Sequence, residues 1–101
     1  MRKSKRHQSI RPSHPAEIIA DAIEAHSLSK TAFAGALGIS RQTLYDLPDQ
    51  KQGVSAAMAI RLEAVLGSSA EFWLNLQAAH DLWSARKSVD AARLQRLVER
   101  V

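Results

Sequence analysis

Residues 38–50 read GISRQTLYDLPDQ, and this stretch decides the fold. Gly38 suits the residue just beyond a helix end, and Ser40 suits a helix N-cap. The spacing predicts a short helix over 41–47 that Pro48 closes, with Leu44 and Leu47 facing inward. Upstream, SKTAFAGALG predicts a helix with Ser29 as its cap and Phe33 and Leu37 one turn apart. Two short helices joined by a glycine turn make a helix-turn-helix. Ala34, four residues before Gly38, supplies the small side chain needed where the second helix crosses. Leu44 and Leu47, six and nine residues after Gly38, anchor that second helix.

With those leucines inward, Ser40, Arg41, Gln42, Thr43 and Tyr45 form the outer surface. That is where a recognition helix presents side chains to base edges in the major groove. Arg can pair with guanine O6 and N7, and Gln with adenine N6 and N7. Ser40 and the free backbone N–H groups beside it can hold a phosphate. Lys30 before this helix and Lys51 after it are placed to clamp the DNA backbone on either side, giving register and salt dependence. A bland alternative is a short solvated helix in a small bundle. Asp46 and Asp49 count against DNA binding, since both lie near the expected phosphates, unless they order Arg41 or Lys51 or accept from cytosine N4.

Around this motif the sequence predicts an all-α fold. Residues 15–26 carry Ile18, Ile19, Ala22 and Ile23 on one face, with Pro15 in the first turn and Glu17 near the positive end. Ser55 caps a helix over 56–66, with Met58, Leu62, Val65 and Leu66 on one face and Gly67 ending it. Ser69 caps a fifth helix running to about Lys87, on which Phe72, Leu76, Ala79 and Trp83 form a helical stripe. Ser88 is placed to cap a last helix to Val101. No segment alternates with period two.

The 101 residues amount to one domain. The net charge of +4 is a weak guide to partners, because it is concentrated at one end. Residues 1–11 hold five basic side chains and no acidic one, while the other 90 hold nine basic and ten acidic. Residues 1–13 read as a flexible basic arm, 14–87 as the helix-turn-helix domain, and 88–101 as a helix for a dimer or partner contact. The arm could follow phosphates, enter a minor groove or simply solubilise. There is no cysteine, so no disulfide framework or thiolate zinc site is expected, which is consistent with the cytoplasm. No apolar run approaches the length of a membrane span. The four histidines, His7, His14, His26 and His80, read as surface or helix-end residues rather than metal ligands. No nucleophile elbow or phosphate-cradling glycine loop is present, so neither catalysis nor a cofactor is expected. Trp73 and Trp83 point about 80° apart around their helix; core is the default for both, a dimer contact the alternative.

The segments HPAEII, GISRQTLY, GVSAAMAIRLEAVLG and EFWLNLQAAHDLW resemble the HigA-type antitoxins of the Xre-like, lambda-repressor-like helix-turn-helix group. The resemblance covers about residues 14–87, and Glu71 to Gln77 is its most specific part. It implies a five-helix DNA-binding domain, here with an extra C-terminal helix. It also implies homodimers on palindromic double-stranded operator DNA, repression of the chain's own operon, and neutralisation of a small mRNA-cleaving, HigB-like toxin. Ser40, Arg41 and Gln42 match the family's Ser-Arg-Gln at the start of the reading helix, and Lys51 a basic loop position. The family's usual Asn-Gly-Lys-Arg is replaced by Asp49-Gln50-Lys51-Gln52, which implies weaker or more selective DNA binding. Two further readings stay open: a protein-interaction module that masks a partner, and a stand-alone transcriptional regulator.

Overall fold

The computed structural model describes residues 11–47 and 53–99. Among them the chain forms α1 (Pro15–Ala25), α2 (Lys30–Leu37), α3 (Arg41–Asp46), α4 (Ala56–Leu66) and α5 (Ala70–Ser88), with no strand. Four of the five helices begin at a serine whose hydroxyl accepts the N–H three residues on. Ser29 takes Ala32 at 3.0 Å, Ser40 takes Thr43 at 3.0 Å, Ser55 takes Met58 at 3.1 Å and Ser69 takes Phe72 at 3.1 Å. Such caps satisfy donors that the helix itself leaves unpaired, each contributing on the order of 1 kcal/mol.

α1 starts differently. The His14 ring accepts from the Ala16 N–H at 3.0 Å, and the Glu17 carboxylate accepts from the His14 N–H at 3.4 Å. Arg11 pairs with Glu17 at 2.8 Å on the exposed side. Residues 1–10 of the basic arm lie outside the described residues.

The core draws on every helix. Ile19, Phe33, Ala34, Leu37, Leu44, Leu47, Met58, Ala59, Leu62 and Trp73 are buried together, with Val54 at the entry to α4. α2, α4 and α5 pack around this cluster, and α3 lies on its edge.

Two expectations fail. The buried stripe of α5 is not Phe72, Leu76, Ala79 and Trp83. Trp73 and Gln77 are the buried residues, Leu76 and Trp83 are half-buried, and Phe72 and Ala79 are exposed. Phe72 instead meets Trp73 edge-on, with centroids 5.2 Å apart. Apolar periodicity favours the wrong phase because the true one contains a buried amide. Trp83 lies under Lys87, whose Nζ is 3.5 Å from the ring centroid.

The second failure is the C-terminal helix. α5 ends at Ser88, whose hydroxyl donates back to the Ala85 carbonyl at 3.2 Å instead of capping a new helix. Among the described residues after Ser88, only Ala91–Arg93 makes a 3-10 turn, and residues 94–99 are not helical. Leu94, Leu97 and Val98 are exposed. A helix this short needs a surface to pack on, and among the described residues these apolar side chains stay uncovered.

Gln77 ties α5 to the start of α4. Its Oε1 accepts from the buried Val54 N–H at 2.8 Å, and its Nε2 donates to Asp81 at 2.9 Å. Gly53, at φ +63°, makes room for it, since a Cβ there would lie 2.2 Å from Gln77 Cδ.

The Gln77→Leu variant leaves the Val54 N–H buried and unpaired, so it should lose about 1–3 kcal/mol in urea unfolding. A second expectation concerns pH. Burial, then the neighbouring His80 ring 4.7 Å away, hold His14 below its ordinary 6.5. The unfolded chain therefore binds the proton first, and the stabilisation present above pH 6.5 is lost as pH falls toward the folded value. Thermal midpoints at pH 7.5 and 5 should differ in the wild type, and less in His14→Asn, which keeps a capping side chain without a titrating ring.

Candidate nucleic-acid interface

The bend between α2 and α3 is set at Gly38. It adopts the left-handed conformation, φ +77°, so the Gly38 N–H reaches the Gly35 carbonyl at 3.1 Å and the Ile39 N–H the Ala34 carbonyl at 3.0 Å. Arg61 of α4 then covers the end of α2. Its Nη1 donates to the Leu37 carbonyl at 2.7 Å and reaches the Gly38 carbonyl at 3.5 Å. A cation there complements the negative end of the helix dipole. A Cβ on residue 38 would lie 2.7 Å from that guanidinium nitrogen. Ala34, only 1% exposed, allows α3 to cross close by, and Leu44 and Leu47 pin α3 from below.

Ser40, Arg41, Gln42 and Tyr45 accordingly face outward, with Thr43 half-buried beside Ser40. The Ser40 and Thr43 hydroxyls are hydrogen-bonded at 2.9 Å, so both partly serve the cap. Arg41 Nη2 donates to the Tyr45 hydroxyl at 2.8 Å, and Gln42 Nε2 donates to Asp46 Oδ1 at 2.9 Å. Arg41 and Gln42 thus each lie along the helix against the residue one turn on. Lys30 of α2 joins them, its Nζ 4.9 Å from the Tyr45 ring centroid, while the Arg41 guanidinium carbon is 5.4 Å away. The Arg41 hydrogen bond pulls the Tyr45 phenol below its ordinary 10, with smaller pulls from the charges of Arg41 and Lys30. Two cations therefore sit at one edge of the exposed face and one carboxylate at the other.

Of the residues singled out in the sequence, Lys30, Ser40, Arg41, Gln42, Thr43 and Tyr45 lie together on this surface. Lys51 lies outside the described residues, as do Pro48, Asp49, Gln50 and Gln52. Asp46 engages Gln42, whereas Arg41, one of the partners considered for it, turns to Tyr45. Sequence reasoning missed Arg61 and Gln77, the polar side chains that hold the turn and the entry to α4, since each acts across more than twenty positions. It also missed the His14–His80 contact, which joins the start of α1 to α5. Among the described residues no three His, Asp or Glu side chains converge as a metal site, and no helix is long and apolar enough to cross a membrane.

No protein-family model matches the chain. It is 42% identical over 84 residues to the helix-turn-helix-type transcriptional regulator YddM of Escherichia coli K12, spanning 83% of this chain and 89% of that one. It is 41% identical over 88 residues to the antitoxin HigA-1 of Vibrio cholerae, spanning 85% of this chain and 78% of that one. Among solved structures, the Pseudomonas aeruginosa antitoxin HigA with the higBA promoter superposes with a TM-score of 0.73 at 36% identity, covering 87% of this chain and all of that one. Sequence similarity over most of the chain and agreement in fold together place it: the chain belongs to the HigA-type antitoxin family of helix-turn-helix transcriptional regulators.

Proposed function

We propose that this chain is the antitoxin of a toxin–antitoxin pair, binding its operator as a homodimer to repress its own operon and neutralising a small mRNA-cleaving, HigB-like toxin. The observation that carries the DNA-binding reading is the outward Ser40–Arg41–Gln42 triplet on a helix pinned by Leu44 and Leu47. The Pseudomonas relative, solved with the higBA promoter, supports the same use of the fold. Two protomers would set their α3 helices about 34 Å apart in successive major grooves. Arg41 and Gln42 would read bases, while Ser40, Thr43, Tyr45, Lys30 and Lys51 would fix the backbone register. In this reading residues 14–87 form the DNA-binding unit, and 88–101 supply the contact to the toxin or the sister subunit.

A second reading is favoured by that last segment. Leu94, Leu97 and Val98 stand exposed, uncovered among the described residues, as expected of a module whose task is to cover a partner. A gel shift on the DNA upstream of the chain's own gene, with and without the co-expressed neighbouring protein, separates the two. The interaction-only reading predicts no affinity above that for unrelated DNA. A stand-alone regulator would bind that DNA but have no small basic toxin encoded beside it.

On the operator reading, Arg41→Ala and Gln42→Ala should each relax choice at a single base position, by about 1–3 kcal/mol of discrimination in competition binding. Lys30→Ala should instead weaken binding to all sequences alike and lower the slope of log affinity against log salt by about 1.

A further inference from the structure

We propose that Asp46 is a positioning residue that makes Gln42 read adenine in preference to guanine. The inference rests on the reading of α3 as the base-contacting helix. Gln42 and Asp46 lie one turn apart on the exposed side of α3, opposite Leu44, and Gln42 Nε2 donates to Asp46 Oδ1 at 2.9 Å. An ionised carboxylate accepts and cannot donate. It therefore fixes which way the amide faces: the nitrogen turns toward Asp46 and Oε1 turns away from it.

That orientation matters because a free glutamine is an ambivalent reader. In the major groove guanine presents two acceptors, O6 and N7, whereas adenine presents one acceptor, N7, and one donor, the N6 amino group. A glutamine with both N–H groups available can satisfy guanine, and after offering one N–H and its oxygen it can satisfy adenine. Asp46 consumes one of the two N–H groups. What remains is one donor and one acceptor, the complement of adenine. The carboxylate also adds negative charge beside an edge that, in guanine, is all acceptor, which opposes guanine further. Arg41 does not compensate that charge, because its guanidinium is drawn to Tyr45 on the neighbouring side of the helix. An acid on a DNA-facing surface, which costs phosphate attraction, thus has a use: it discriminates between the two purines.

The test is selection from a randomised duplex library with the full chain and the variants Gln42→Ala, Asp46→Ala and Asp46→Asn, followed by competition binding. The position read by Gln42 is the one whose preference disappears in Gln42→Ala. At that position the wild type should prefer adenine. Asp46→Ala should raise guanine relative to adenine by about three- to tenfold. Asp46→Asn, whose amide can face Gln42 with either end, should do the same while preserving the shape of the side chain. Preferences at the other positions should hold, which a merely structural role for Asp46 would not leave intact. Adenine-to-guanine ratios unchanged in both Asp46 variants, with Gln42→Ala still flattening the position, overturn the proposal but leave the base-reading helix standing. A wild-type preference for another base there, or a loss spread evenly over all positions, also overturns it. If Gln42→Ala alters no position, the assignment of α3 as the reading helix fails as well. Asp46 is exposed at the end of a short helix, and equal melting temperatures for wild type and variants verify that the fold is intact.

Discussion

The hydrogen bonds from one guanidinium fix the geometry on which the rest of this molecule depends. Arg61 reaches from α4 to the carbonyl groups that end α2, at the point where Gly38 turns the chain toward α3. A helix end leaves several carbonyls without partners, and the left-handed glycine satisfies only some of them. The charged donor satisfies another and ties the turn to a third element, a contribution of about 1.5–3 kcal/mol for a hydrogen bond of this kind. Since α3 has only six helical residues, it has little stability of its own. Its direction is borrowed from the elements that brace the turn before it and its underside.

The outer face of α3 has the opposite character. Its hydrogen bonds are short-range, solvent-exposed and made between side chains on one surface, Arg41 with Tyr45 and Gln42 with Asp46. Exposed pairs one turn apart are weak, contributing a few tenths of a kcal/mol. That suffices to bias rotamers, and the Gln42–Asp46 bond still leaves one N–H and the oxygen of the amide free for a further partner. The protein thus combines a rigid support with a loosely ordered outer face. The loss of side-chain freedom on binding, otherwise on the order of 1–2 kcal/mol for an arginine or glutamine, is already partly met.

How much of this was legible in the sequence follows from the range of each interaction. The starts of α2, α3, α4 and α5 and the ends of α2 and α4 were readable because serine caps and glycine stops act within four residues: Ser29, Ser40, Ser55 and Ser69 cap as expected, while Ser88 does not. The outward face of α3 followed from two leucines and a turn. The phase of α5 was misread because its buried side includes Gln77, which periodicity counts as polar and therefore outward. The segment after Ser88 was misread as a helix because an amphipathic pattern states only that a helix would have an apolar side. Whether that side finds a surface is a tertiary question. Arg61, Gln77 and the His14–His80 pair escaped for a related reason. Each acts on a residue distant in the chain, and no local spacing encodes that.

Gly38 and Gly53 stand on either side of α3 in the sequence, and in each case another helix has placed a polar side chain where a Cβ would go. The two positions are locked by their surroundings, Arg61 for one and Gln77 for the other. By contrast, residues 41, 42, 45 and 46 touch the core with none of their functional atoms. Substitution is therefore costlier at these two glycines than on the exposed face of α3. If α3 is the base-contacting helix, as proposed, a lineage built on this plan can acquire new genomic addresses by substitutions confined to one short helix, and duplicated copies in one cell can diverge until they no longer answer to each other's promoters.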